Sequence, residues 1–225
     1  MLIKRIINGI SAGILISIGG TVFLACDNKY VGAVMFSVAL LCICYKSYSL
    51  FTGKVGYLPE KHGKDEFSVL LLGLLGNVIG TSALGRAIAF MNPALKETAL
   101  NMCNNKLALS VPQVLIKGIM CGVLMYLAVS IYRDKKTPLG ILFCIPVFIL
   151  SGFEHSIADM FYFAASGIVS LKAFGFIWTV ILGNAVGAVI MCLFTLLAEE
   201  KKNDWKQSRY SRARIGRRHK FTGAY

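Results

Sequence analysis

Apolar residues in this chain come in long, nearly continuous runs rather than in the alternating or one-sided patterns of a water-soluble fold. Six runs can be drawn: Ile6–Cys26, Tyr30–Tyr57, Phe67–Phe90, Leu107–Tyr132, Thr137–Leu171 and Phe174–Ala198. Each is long enough to cross the hydrocarbon core of a bilayer, which takes about 20 helical residues. Backbone polar groups have no water to bond there, so the pattern predicts an all-α integral membrane protein of six transmembrane helices.

Three runs are clean and three are interrupted, and the two deepest interruptions are polar. The second breaks at Lys46-Ser47-Tyr48-Ser49-Leu50-Phe51-Thr52-Gly53, the fifth at Ser151-Gly152-Phe153-Glu154-His155-Ser156. Non-helical backbone at membrane depth is tolerated only where protein or a water-filled cavity satisfies it, so the two breaks are expected to face each other across a pathway. Leu75-Gly76-Asn77-Val78-Ile79-Gly80 in the third run recurs as Leu182-Gly183-Asn184-Ala185-Val186-Gly187 in the sixth, each copy following an interrupted run. Three runs plus three is odd per half, so the halves are expected to sit inverted. An inverted 3+3 repeat with broken second and fifth helices is the pattern of transporters, whose site lies near the midplane where the breaks meet.

Composition agrees. Of 225 residues 56% are hydrophobic and only 16% charged, against about 25% charged in ordinary soluble domains. The net charge of +13 does not point to nucleic acid, because the basic residues sit at loops and in the tail rather than over a folded surface. Lys4, Arg5, Arg133, Lys135, Lys136 and the nine Lys and Arg after Glu199 fall on one side of the membrane; Lys29, Lys96, Lys106 and Lys172 fall on the other. By the positive-inside rule both termini are expected in the cytoplasm and the protein in the cytoplasmic membrane. Residues 199–225 read as a disordered basic tail held by anionic lipid headgroups, apart from the membrane domain of residues 1–198. Met1–Arg5, an apolar run and Phe23-Leu24-Ala25-Cys26 have the order of a lipoprotein signal, but the run's length and its Gly9, Gly13, Gly19 and Gly20 favour a retained, closely packed helix. The seven cysteines form no CxxC pair and no His stands at ligand spacing, so neither metal nor cofactor is expected.

Ionisable residues at depth are few: Lys46, Arg86, Lys117, Glu154, His155 and Asp159. Each is costly there and so a functional candidate. Glu154 is expected to be structural, accepting bonds from backbone N–H groups freed at the break. Arg86 is placed near the outer end of its run, where it can snorkel. His155 is the group that changes charge near neutral pH and both gives and takes protons. An intramembrane enzyme using His155 with Glu154 is disfavoured, since adjacent helical residues point about 100° apart and no HxxxD, HExxH or GxSxG motif is present. A neutral-solute channel of aquaporin type would show two Asn-Pro-Ala loops, and the string occurs once, at Asn92-Pro93-Ala94. No catalytic residue is expected.

Ser151-Gly152-Phe153-Glu154-His155-Ser156-Ile157-Ala158, followed by Met160-Phe161, resembles the SGFEHSIANMF segment of the formate/nitrite transporters, which also include hydrosulfide and lactate carriers. Leu50-Phe51-Thr52, Lys117-Gly118-Ile119 with Cys121, and both GNxxG strings are similar to further segments of that family, in the same order from Ile7 to Ala198. The resemblance implies an aquaporin-like six-helix fold, a homopentamer with one pore per protomer in membrane lipid, and a small anionic substrate. It implies hydrophobic constrictions at Phe36, Leu40, Leu50, Phe51 and Phe148, a polar pair Thr52 and His155 between them, and Lys117 drawing anions into a vestibule. Protonation at the constriction, by His155 or by water, would carry the anion across as a neutral acid. The chain departs from the pattern at Asp159 and Gly122, where Asn is usual, and at Ser49, where an acidic or similar polar residue is common; Lys46 lies unusually close to the first break.

Overall fold

The computed structural model describes residues 2–60 and 63–221, with side chains to residue 199. It is helical: α1 Leu2–Ala25, α2 Lys29–Lys46, α3 Phe51–Lys54, α4 Lys64–Met91, α5 Pro93–Leu107, α6 Val111–Lys135, α7 Leu139–Leu150, α8 Ser156–Ser166 and α9 Leu171–Phe221. Five stretches are long and apolar enough to cross a membrane, namely α1, α2, α4, α6 and Leu171–Glu199 of α9, and α7 is a shorter apolar helix. Phe90, Val169 and Leu171 are 91–92% exposed, as suits side chains meant for lipid or a neighbouring subunit. The protein is therefore a multi-pass membrane protein.

The helix ends follow from local sequence. Asn28 caps α2 by accepting from the Tyr30 and Val31 amides, and Ser110 with Gln113 forms a capping box at α6. Asn92 caps α5 through the Leu95 amide, with Pro93 in the first turn. Asn92-Pro93-Ala94 is thus the start of a helix. Segment 93–107, read from the sequence as loop, is a 15-residue helix whose polar side chains hid it from a hydropathy reading.

The chain divides into two compact units, Met1–Met191 and Cys192–Tyr225. Within the first, α1 packs on α2 and α4, α6 on α7, and α8 on α4 and α5. Small residues set the closest approaches: a Cβ on Gly76 would lie 2.3 Å from the Ile6 carbonyl oxygen, and one on Gly122 would lie 2.2 Å from that of Asn184. Gly122 is therefore a packing position between α6 and α9. In the second unit the backbone is helical to Phe221. The basic side chains of that tail lie outside the described residues.

Candidate functional site

α2 ends at Lys46 because Ser47 turns into the left-handed region, at φ 56°, and the chain closes on itself. The Ser47 and Tyr48 amides donate back to the Cys44 and Ile43 carbonyls, a Schellman closure. Four residues later α3 begins at Phe51. α7 likewise stops at Leu150, Gly152 lies at φ 66°, and α8 starts at Ser156.

One asparagine braces each break. The Asn77 side-chain amide donates to the Gly9 and Ser49 carbonyls at 2.8 and 2.9 Å, and its oxygen accepts from the Phe51 amide at 3.0 Å. Asn184 does the same for the second break: it donates to the Gly118 and Glu154 carbonyls, both at 2.9 Å, and accepts from the Ser156 amide at 2.9 Å. Both asparagines are fully buried, so these bonds satisfy backbone groups that would otherwise be stranded in an apolar interior. The two GNxxG strings thus do two jobs, their glycines letting helices approach and their asparagines holding the breaks.

Between the breaks lies the polar pair. Thr52 Oγ1 and His155 Nε2 are 2.8 Å apart, and both residues are buried. His155 also caps α8, its Nδ1 accepting from the Ala158 amide at 3.1 Å. That bond occupies the Nδ1 lone pair, so the ring carries its hydrogen on Nε2 and donates it to Thr52. Phe148 stacks on the imidazole at a centroid distance of 5.6 Å and meets Phe36 edge-on at 6.4 Å.

Two cavities approach this plug. The first, about 370 Å³, is lined by Phe36, Phe148, His155, Lys117, Lys106 and Asp159 among others. The second, about 440 Å³, is lined by Leu40, Leu50, Lys54, Arg133 and Lys136 among others. Phe36, Leu40, Leu50, Thr52, Phe148 and His155 are each at most 3% exposed. Phe51 is buried at the first turn of α3, its amide held by Asn77, and it lines neither cavity.

Lys117 lines the first cavity and donates to the Gly152 carbonyl at 2.7 Å. Lys46 and Arg86 are exposed. Glu154 does not accept from freed backbone amides as expected, because Asn184 and His155 already take the Ser156 and Ala158 amides. Its carboxylate instead accepts from Lys106 Nζ, which also bonds Asp159 Oδ1 at 3.0 Å. Lys106, read from the sequence as a loop residue outside the membrane, is brought by α5 into the wall of the first cavity. Among the described residues no group of three or more His, Cys, Asp or Glu could hold a metal.

The formate/nitrite transporter family profile matches residues 2–198. Among curated proteins, the uncharacterized transporter YwcJ of Bacillus subtilis is 27% identical over 84% of this chain and 86% of its own length. The nitrite transporter NirC of Escherichia coli is 28% identical over 75% of this chain and 70% of its own. A solved structure described as a pentameric formate channel with formate bound superposes with a TM-score of 0.69 at 25% identity, covering 88% of this chain and 97% of that one.

Proposed function

We propose, from the premise that the chain belongs to the formate/nitrite transporter family, that it carries a small monovalent anion such as formate, nitrite, hydrosulfide or a short carboxylate across the cytoplasmic membrane. Family membership makes it a transporter, not an enzyme. In this reading five copies assemble in the bilayer, each with its own path, both termini lie in the cytoplasm, and the two halves form an inverted repeat whose broken helices meet at Thr52 and His155.

The observation that carries the reading is a buried hydrogen-bonded pair, Thr52 and His155, set among Phe36, Leu40, Leu50 and Phe148 between two cavities. A bare anion entering that plug would lose its hydration at a cost of several kcal/mol or more. Formic, nitrous and hydrosulfuric acids are small and neutral once protonated, so one proton removes most of the barrier. Lys117 concentrates the anion at the first cavity by Coulomb attraction, which is stronger beside a low-dielectric wall than in bulk water. The acid then crosses the slit while the Thr52 and His155 pair hydrogen-bonds it in place of water. With Nδ1 engaged by Ala158, the imidazole holds a single N–H, which suits it to guiding an acid rather than to protonating an anion.

Purified protein in liposomes, with internal pH followed while formate, nitrite, hydrosulfide or lactate is added outside, tests the reading. Acidification faster than in empty vesicles for at least one anion, slowed by His155→Asn, is expected. No protein-dependent flux for any of the four would overturn it.

A further inference from the structure

Asp159 stands one helical turn beyond His155, its amide donating to the His155 carbonyl at 2.9 Å. Its side chain is 1% exposed, yet it belongs to the wall of the first cavity. Lys106 bonds one of its oxygens; the other, Oδ2, is buried with no hydrogen-bond partner. The Glu154 carboxylate accepts from the same ammonium, so the two acids meet at one cation.

Two largely buried carboxyls, 4% and 1% exposed, share one ammonium, and as ions they leave a negative charge unbalanced. If both acids are ionised, a buried carboxylate oxygen is left without a partner beside a like charge, a combination that is among the costliest in a protein interior. A single proton between the two carboxyls removes the repulsion and gives the lone oxygen its bond. The other groups that face Asp159 do not supply that bond: Cys103 from α5, Cys121 from α6 and Tyr162 from α8 are weak acids, and none bonds Oδ2. Lys117 lies on the same cavity but is committed to Gly152.

We infer that Asp159 and Glu154 share a proton beneath Lys106, and that this proton is the one delivered to the anion in the first cavity. The inference rests on the transport reading above and names its proton source. The step is a simple exchange. An O–H bond of the acid pair breaks as one forms on the anion, the neutral acid moves into the slit, and the two carboxylates left under Lys106 take a new proton from cavity water. Lys106 is a positioning residue here, holding the two carboxyls together.

Asp159→Asn tests this, because it keeps the shape and leaves Lys106 paired with Glu154 while removing the second carboxyl. Formate-driven acidification of liposomes is expected to fall by roughly a hundredfold or more, the usual scale of a lost proton donor, and its solvent deuterium effect to vanish. Infrared spectra of the wild type at neutral pH should show a protonated-carboxyl stretch that the variant lacks. Unchanged flux with an unchanged pH profile, or no such band in the wild type, overturns the inference. Should Asp159→Asn not assemble, the wild-type band and its shift in Asp159→Glu decide the matter. Wild-type vesicles that pass no anion would instead bring down the transport reading, and the band would still report on the shared proton.

Discussion

Asn77 and Asn184 make the same three hydrogen bonds, one at each break: two to carbonyls and one from the first amide of the helix that follows. Neither break could be buried without them. Replacing either by Ala strands three backbone groups, and one stranded buried group costs about 1–3 kcal/mol. Asn184→Ala and Asn77→Ala are each expected to lose about 3 kcal/mol or more, seen as a lowered thermal midpoint in detergent. Equal midpoints for variant and wild type would show that the asparagines are incidental.

The imidazole of His155 holds two partners, and the two can be separated. Asn is a good helix cap, so His155→Asn keeps a group to accept the Ala158 amide but is too short to reach Thr52. Stability within about 1 kcal/mol of wild type together with clearly slower anion flux is the expected result. Thr52→Val should slow flux in the same way. A variant that is destabilised yet transports normally would reduce His155 to a cap.

Lys117 offers its charge to the first cavity while bonded to the Gly152 carbonyl. Lys117→Met should raise the anion concentration needed for half-maximal flux by roughly fivefold, corresponding to about 1 kcal/mol for a partly exposed charge. Salt should narrow the difference, since screening weakens the same attraction. Unaltered half-saturation at neutral pH would remove the recruiting role.

Gly122 has no room for a side chain, because its Cβ would lie 2.2 Å from the Asn184 carbonyl oxygen. Gly122→Asn is expected to destabilise by about 1–3 kcal/mol as α6 and α9 are pushed apart. Thermal denaturation beside the wild type measures it.

Much of the membrane architecture could be read from hydropathy, because burying backbone in hydrocarbon leaves few options. The ends of α2 at Lys46 and α7 at Leu150 fall where polar residues interrupt the apolar runs. His155 and Thr52 could be singled out for their positions in those interruptions, and the structure brings them to 2.8 Å. α5 could not be read that way. Lys96, Glu97, Asn101, Asn104, Asn105 and Lys106 give it the polarity of a loop, and it is helical because Asn92 and Pro93 start it and α8 packs against it. Asp159 stood out as an unusual residue, but its meaning depends on Lys106, and only the path of α5 brings the two together. Gly122 is a departure in the sequence whose place between helices shows only in its distance to Asn184.

The plug between the two cavities has a bioenergetic consequence. Proton conduction needs an unbroken file of water or hydroxyl groups, and here the file shrinks to one Thr and one His amid phenylalanine and leucine side chains. In the transport function proposed above, a proton would therefore cross only as part of a passenger molecule, in step with its anion. On that proposal, a cell that opened this path to a weak acid would not short-circuit the gradient that drives its other membrane machines.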